Sequence, residues 1–229
     1  MALDSLALSF RRQQWRLARP TQFRLADGLA TLDDTLALRT RDGSGSITLS
    51  GTFPGTAPGT MTASAVGIEL ADLVGLMQGD TSAVAGLATL DLRLGGTRNA
   101  PTMRGSAAVT GPVLGAVRAP MVRAAFDYES RMLRSHLTFW RTGDAVLDVD
   151  LALPFDMALA ARAERKLAGP IAITARADSV DLAVFEAFTP NIRNATGTLQ
   201  LDLQGSGTWA ASRLGGSLAI RNGRMLLPS

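Results

Sequence analysis

The chain has 229 residues, 46% of them hydrophobic and 19% charged, which is enough length for one or two domains with a core and too apolar for a disordered segment. Its 23 basic residues outnumber 20 acidic ones, but nearly all are arginines scattered among aspartates, and aromatics make up only 5%, so no nucleic-acid surface built from a basic stripe and stacking rings is expected. The absence of cysteine excludes disulfides and thiolate metal sites.

At the start, MALDSLALSFRRQQW puts an acid at position 4 and its arginines after the apolar residues, the reverse of a signal peptide, and no apolar run follows Arg11-Arg12. Leu6, Leu8 and Phe10 alternate, as do Leu36/Leu38 and Ile47/Leu49 on either side of Asp42-Gly43-Ser44-Gly45. Alternation with period two, broken by glycine turns, predicts strands with one apolar face. The uncharged run from Gly43 to Ile68 is too rich in Gly, Ser, Thr and Pro to span a membrane. IELADLVGLMQG (68 to 79) changes period: Leu70, Leu73, Val74 and Met77 fall at helical spacing, which predicts a helix over 69 to 78. Strand alternation resumes at Leu90/Leu92/Leu94, Leu137/Phe139, Leu147/Val149/Leu151/Leu153 and Ile171/Ile173. VDLAVFEAFTP (180 to 190) predicts a second helix over 180 to 189, with Ser179 as N-cap and Pro190 as its stop. The last strands carry Leu199/Leu201/Leu203 and Leu218/Ile220, with turns at Gly205-Ser206-Gly207 and Asn222-Gly223. The whole reads as an antiparallel meander with two short helices.

The meander is written twice. GLATLDLRLGGTRNAPTMRG (86 to 105) matches GTLQLDLQGSGTWAASRLGG (197 to 216) at a constant offset of 111. Ala63-Ser64-Ala65 matches Ala175-Arg176-Ala177 at 112, and residues 36 to 55 parallel 137 to 155 more loosely. Two repeat units are therefore expected, residues 1–112 and 113–229, forming one continuous sheet. Both ends read as cut from a longer protein.

The repeated pattern of strand, Gly-Thr, a few residues, Pro, apolar, x, Gly, strand stands as GGTRNAPTMRGSAAV (95 to 109) and SGTWAASRLGGSLAI (206 to 220). Each copy follows a Leu-Asp-Leu strand and a D/E-Leu-Ala helix, and the second copy has Ala211 in place of Pro101. In this the chain resembles the TamB (translocation and assembly module) family of the AsmA-like superfamily, over essentially its whole length. The resemblance implies an elongated antiparallel sheet rolled into a U-shaped trough, a β-taco, apolar inside and polar outside. It implies a place in the periplasm of a Gram-negative cell envelope, the parent protein being anchored in the inner membrane by a segment this chain does not show. It also implies a role in phospholipid movement to the outer membrane, or in outer-membrane protein assembly and secretion beside an outer-membrane β-barrel.

His136 is the only histidine; with Leu137 and Phe139 on the apolar face it points to solvent. Asp148 and Asp150 share a face, as solvated carboxylates without a third clustered ligand. GSGTWA lacks the third glycine of a dinucleotide loop and leads into a strand. No enzyme, no cofactor and no metal are expected. The candidate site is instead a hydrophobic groove lined by Leu90, Leu92, Leu94, Leu147, Val149, Leu151, Leu199, Leu201, Leu203, Leu218 and Ile220, with phospholipid as its occupant. A filled sandwich core explains the same stripes, although a closed core usually recruits more aromatics than this one offers. The rival function is a scaffold whose open sheet edge captures a client or a partner barrel by strand addition. About sixteen strands side by side would give a wall some 75 Å long.

Overall fold

The computed structural model describes residues 1–229 except 10–12, 27, 73–83, 115–116, 119–120, 142–143, 183–192 and 227–229. Strands dominate. The first part of the chain forms β1 (Ala2–Leu3), β2 (Ala7–Ser9), β3 (Gln14–Leu17), β4 (Thr21–Ala26), β5 (Leu29–Thr40), β6 (Ser46–Phe53) and β7 (Gly59–Glu69). There follow β8 (Val84–Gly96), β9 (Pro101–Leu114), β10 (Val117–Arg118), β11 (Met121–Glu129), β12 (Met132–Arg141) and β13 (Asp144–Pro154). The chain ends in β14 (Ile171–Asp181), β15 (Arg193–Gly207) and β16 (Ser212–Leu226).

All sixteen belong to one open antiparallel sheet, with a path of thirteen in the order β1-β4-β5-β6-β7-β8-β9-β11-β12-β13-β14-β15-β16. Three strands add no width. β3 shares β5 with β4 because Pro20, which has no N–H for the ladder, splits what would be one long strand. β2 pairs only with β3, and β10 folds back on β9. The wall is thus twelve spacings of about 4.8 Å across, roughly 58 Å and not 75 Å.

Among the described residues, helix is limited to residues 70–72 and a single 3₁₀ position at Leu182. The remainder of both expected helices, 73–78 and 183–189, lies outside the described residues. Their starts need correcting. Glu69 ends β7, and Val180 and Asp181 end β14, so Ser179 is not an N-cap. It sits within a strand with φ 71°, where the pairing of β14 with β15 slips between Ala177 and Val180. Gly67 holds the same place in β7, with φ 68° and a slip between Ala65 and Ile68. Both are β-bulges, in which an extra residue in left-handed conformation bends the strand. Asn222-Gly223 is likewise no turn. Asn222 has φ 52° inside the continuous β16, opposite a stretch of β15 whose register shifts between Arg193 and Thr198.

The two matched sequences take the same pairing. Leu92 lies between Ala63 and Gly105, and Leu203 between Ala175 and Gly216. The turns after β8 and β15 coincide bond for bond: Thr97 and Ala100 exchange two backbone hydrogen bonds of 3.2 Å, as do Thr208 and Ala211. In each, the threonine hydroxyl accepts from the alanine N–H at 3.2 Å. Gly96 and Gly207, with φ 76° and 105°, open these turns.

Two clusters of buried apolar side chains lie toward the two ends of the sheet. Trp15, fully buried, packs with Leu36 and Leu38 and draws in Leu3, Leu6, Leu17, Leu32, Ile47, Leu49 and Ile68. A smaller cluster joins Leu182, just after β14, to Ala195 and Leu199 on β15, with Leu201 against it.

Candidate functional site

In an antiparallel ladder, residues directly across from each other point to the same face, so the register sorts every side chain. Starting from Leu36, one row runs Leu49, Ala63, Leu92, Gly105, Phe126, Ser135, Leu151, Ile173, Gly205, Leu214. The next runs Leu17, Leu38, Ile47, Ala65, Leu90, Ala107, Ala124, Leu137, Val149, Ala175, Leu203, Gly216. A third takes in Ala88, Val109, Val122, Phe139, Leu147, Ala177, Leu201 and Leu218. Leu199 faces Ile220, and Leu94 stands between Met61 and Met103. All eleven sequence-derived lining residues therefore lie on one face, and in these rows only Ser135 is polar.

Every described strand is in the same sheet, so no second sheet of described strands packs against that face. Leu90, Leu92, Leu147, Val149, Leu151, Leu201 and Leu203 are half-buried, shielded by their neighbours within the layer. Leu94 and Leu199 are buried. Leu218 and Ile220 on β16 are 57% and 45% exposed. Near the middle of the wall this face carries the aromatics Phe126, Tyr128 and Phe139, on β11 and β12. Phe126 lies over Gly105, where an added Cβ would stand 2.5 Å from the ring, so glycine is required there.

The opposite face carries Asp91, Arg93, Arg104, Asp127, Arg134, His136, Asp148, Asp150, Asp202 and Gln204. His136 Nδ1 lies 2.7 Å from Asp150 Oδ1, and His136 Nε2 lies 3.0 Å from Thr138 Oγ1. The order Asp150, His136, Thr138 is that of a catalytic triad, but the surroundings do not fit one. The Thr138 hydroxyl donates to Asp148 Oδ1 at 2.8 Å, and Thr138 lies in a strand paired on both sides, whose amides serve the ladders and not an oxyanion. Among the described residues no group of three or more His, Asp or Glu is placed to hold a metal ion. An open depression of about 510 Å³ beside this cluster is bounded by Arg104, Asp127, Arg134, His136, Asp150 and Thr174. Trp140, directly across from Met121, is a large apolar side chain on the polar face, with the Arg123 guanidinium 6.0 Å from its ring centre.

One element near the apolar face escaped the sequence reading. Between β13 and β14, residues 155–170 form a strap along one rim of the sheet. Leu159 N donates to Arg98 O at 2.8 Å, in the β8–β9 turn. Met157 N donates to the hydroxyl of buried Tyr128 at 2.9 Å, and Trp209 Nε1, in the β15–β16 turn, donates to Pro154 O at 2.9 Å. Lys166 Nζ stands 5.3 Å over the Trp209 ring. The strap holds itself through Asp156, which accepts from Ala158 N at 2.8 Å and from Arg162 Nε at 3.2 Å. These contacts, the Ala158 amide first, hold the Asp156 carboxyl below the usual carboxylate range. The signal was in the offsets: Ile47 and Leu147 are counterparts at 100, Ala65 and Ala177 at 112, so the second copy carries twelve extra residues between them.

No protein-family model, curated protein or solved structure matches this chain. Among the described residues no helix is long and apolar enough to cross a membrane.

Proposed function

We propose that the chain is a lipid-carrying segment of a cell-envelope protein, its sheet curled into a trough whose apolar face holds the acyl chains of phospholipids. The observation that carries this reading is the apolar face from β5 to β16, interrupted in its traced rows only by Ser135, whose central leucines are half-buried with no second sheet of described strands against them. Each methylene withdrawn from water onto such a face contributes about 0.8 kcal/mol, so two tails lying across a few strands bind firmly. The attraction is non-directional and the rows repeat from strand to strand, so a lipid displaced by one strand meets the same surface. That combination of firm holding and weak positional preference suits conduction. The work falls to side-chain hydrophobicity, with no catalytic group, cofactor or metal. The likeness to TamB and AsmA-like proteins adds the setting: the periplasm, with lipid passing between the inner and outer membranes.

The test is native mass spectrometry with lipid extraction on the chain purified from a Gram-negative periplasm. Phospholipid is expected to co-purify with the parent chain and to be lost from Leu203→Asp, with the sheet intact by circular dichroism. On an open face the new carboxylate reaches water. In a dry closed core it would cost several kcal/mol, a large part of a marginal domain's stability. A lipid-free parent chain, or a Leu203→Asp variant that unfolds, overturns the proposal.

A second reading, a scaffold for outer-membrane protein assembly that captures client or barrel strands, is favoured by the exposure of β16. It predicts that damage to the terminal strand harms docking, whereas charges on the apolar face harm lipid carriage.

A further inference from the structure

The strap between β13 and β14 is tied to itself more than to the sheet. At its base Asp156 N donates to Arg165 O at 2.7 Å, Leu167 N donates to Pro154 O at 3.2 Å, and Phe155 pairs with Lys166. Arg165 Nη1 donates to the carbonyls of Asp156 and Ala158 at 2.9 and 3.1 Å, and the Asp156 carboxylate holds Ala158 N and Arg162 Nε. A loop with joined ends, filled by its own groups, is an Ω-loop. The base is fixed to the turns beside it, Phe155 N donating to Arg131 O at 3.0 Å and Trp209 Nε1 to Pro154 O at 2.9 Å. The tip, residues 157–162, meets the sheet at two separate places. Met157 N donates to Tyr128 Oη at 2.9 Å. Further along the rim, Leu159 N and Ala160 N share Arg98 O at 2.8 and 3.3 Å, and Arg162 Nη2 donates to Asn99 Oδ1 at 3.3 Å.

The apolar row at this rim is the buried one. Leu94, Tyr128 and Ile171 are 4%, 2% and 6% exposed, whereas Leu92, Phe126 and Ile173, the next positions of the same face along those strands, are half-buried. The first copy shows the rim without a strap. Residues 54–58 alone join β6 to β7 there, and Phe53 beside them is 44% exposed, while its counterpart Leu153 is half-buried.

We infer that the strap is a lid: its tip leaves Tyr128, Arg98 and Asn99 as one piece, pivoting on the closed base, and uncovers the rim of the apolar face between β8 and β13. The loop keeps its internal bonds as it opens, so the opening gives up only its few bonds to the sheet and the cover over Tyr128, which places it among the low-energy local openings of the fold. The opened rim admits an acyl chain to the face, a cargo that rests on the lipid reading above; the motion itself does not.

Hydrogen exchange followed by NMR on the intact chain reads the opening. Tyr128→Phe removes one acceptor and keeps the ring. Loss of a hydrogen bond of ordinary strength raises the open population about five-fold. The amides of Met157, Leu159 and Ala160 are therefore all expected to exchange faster by that one factor, although only the first bonds Tyr128. The amides of Asp156 and Leu167, in the base, should keep their parent rates. Asn99→Ala, at the other attachment, should give a smaller acceleration shared by the same three amides. Acceleration of Met157 alone in Tyr128→Phe, or of the base together with the tip, overturns the lid. For the cargo, uptake of phospholipid from phosphatidylethanolamine–phosphatidylglycerol vesicles is timed for the parent chain and Tyr128→Phe. A gate speeds uptake by the factor seen in exchange, and equal rates overturn the gating role. Uptake by neither chain overturns the lipid reading and its cargo, a result distinct from the exchange rates, which need no lipid.

Discussion

The two ends of the wall bury their apolar side chains to opposite degrees. At the first end, the segment Gln13–Leu17 turns onto the apolar face and lays Trp15 against Leu36 and Leu38. The neighbouring chain has been cut to fit. An added Cβ on Gly45 would stand 2.6 Å from the Trp15 ring, and Gln13 satisfies the backbone of the β7 bulge by donating to Gly67 O at 2.9 Å and accepting from Glu69 N at 3.0 Å. At the other end β16 lies open on the same face, with Leu214 and Leu218 73% and 57% exposed. Stability and accessibility have thus been separated along a single sheet. The buried end anchors the fold, whereas the last described strand keeps its apolar side chains exposed.

Breaking the anchored end should have the largest effect. Trp15→Ala removes a fully buried indole from the centre of its cluster, so a loss of about 3–5 kcal/mol is expected in urea unfolding. A loss below about 1 kcal/mol would mean that the Trp15 cluster is not what holds that end. The open end gives a sharper contrast within one cross-strand neighbourhood. Leu199→Ala, at a site 2% exposed, should cost about 2–5 kcal/mol, whereas Leu218→Ala should stay within about 0.5 kcal/mol. Equal losses would show that β16 is covered in solution.

The sequence disclosed the apolar face well because period-two alternation is a local property: every second residue of a strand shares a face, and the ladder merely aligns what each strand already carries. Leu90, Leu92 and Leu94 needed only β8 to be a strand. Features that depend on interruption of the ladder were less legible. Ser179 precedes an acid and an apolar run, the pattern of a cap, and nothing local distinguishes a cap from a bulge when the decisive term is pairing with β15. Asn222-Gly223 has the composition of a hairpin turn, yet no further described strand follows it to make a hairpin. The Trp15 anchor was missed for a different reason, since its partners Leu36 and Leu38 are about twenty residues away and the segment holding it has no clear period.

The bulges refine the comparison between the two copies at smaller scale. Gly67 occupies a left-handed position for which a side chain has no room, because its Cβ would stand 2.3 Å from Ser44 O. Ser179 holds the equivalent position at φ 71° with a side chain that disfavours it, at a cost of about 1–2 kcal/mol for an L-residue. Ser179→Gly should therefore stabilise the chain by up to about 1 kcal/mol once glycine's greater freedom in the unfolded state is counted. Gly67→Ser should destabilise it. Chemical denaturation of both variants checks the pair, and a loss of stability in Ser179→Gly would mean the serine side chain makes a contact that outweighs its backbone strain.

The smallest effect concerns the hairpin between β5 and β6, beside the anchored end. Hydrogen bonds from the side chains of Thr40 and Ser44, with a further one from the Ser44 amide, hold the Asp42 carboxyl down at about 2, below its ordinary value of 3.8. Ser44 Oγ lies 2.9 Å from both carboxylate oxygens, and Ser44 N donates at 3.2 Å. A carboxyl whose folded pKa is depressed contributes stability above its unfolded value and loses it as pH falls through the folded one. The turn should therefore be intact at pH 5, weaken between pH 4 and pH 2, and lose this contribution below about 2. The Ser44 amide resonance, followed by NMR through an acid titration, should shift with a midpoint near 2, while Asp42→Asn should abolish that transition and leave the Trp15 indole signal in place. A midpoint near the ordinary 3.8 would show that the turn's hydrogen bonds do not bias the carboxylate. Loss of the indole signal in the same window would show that turn and anchor melt together, and that the first end of the wall is one cooperative unit and not a clamp with a separable hairpin.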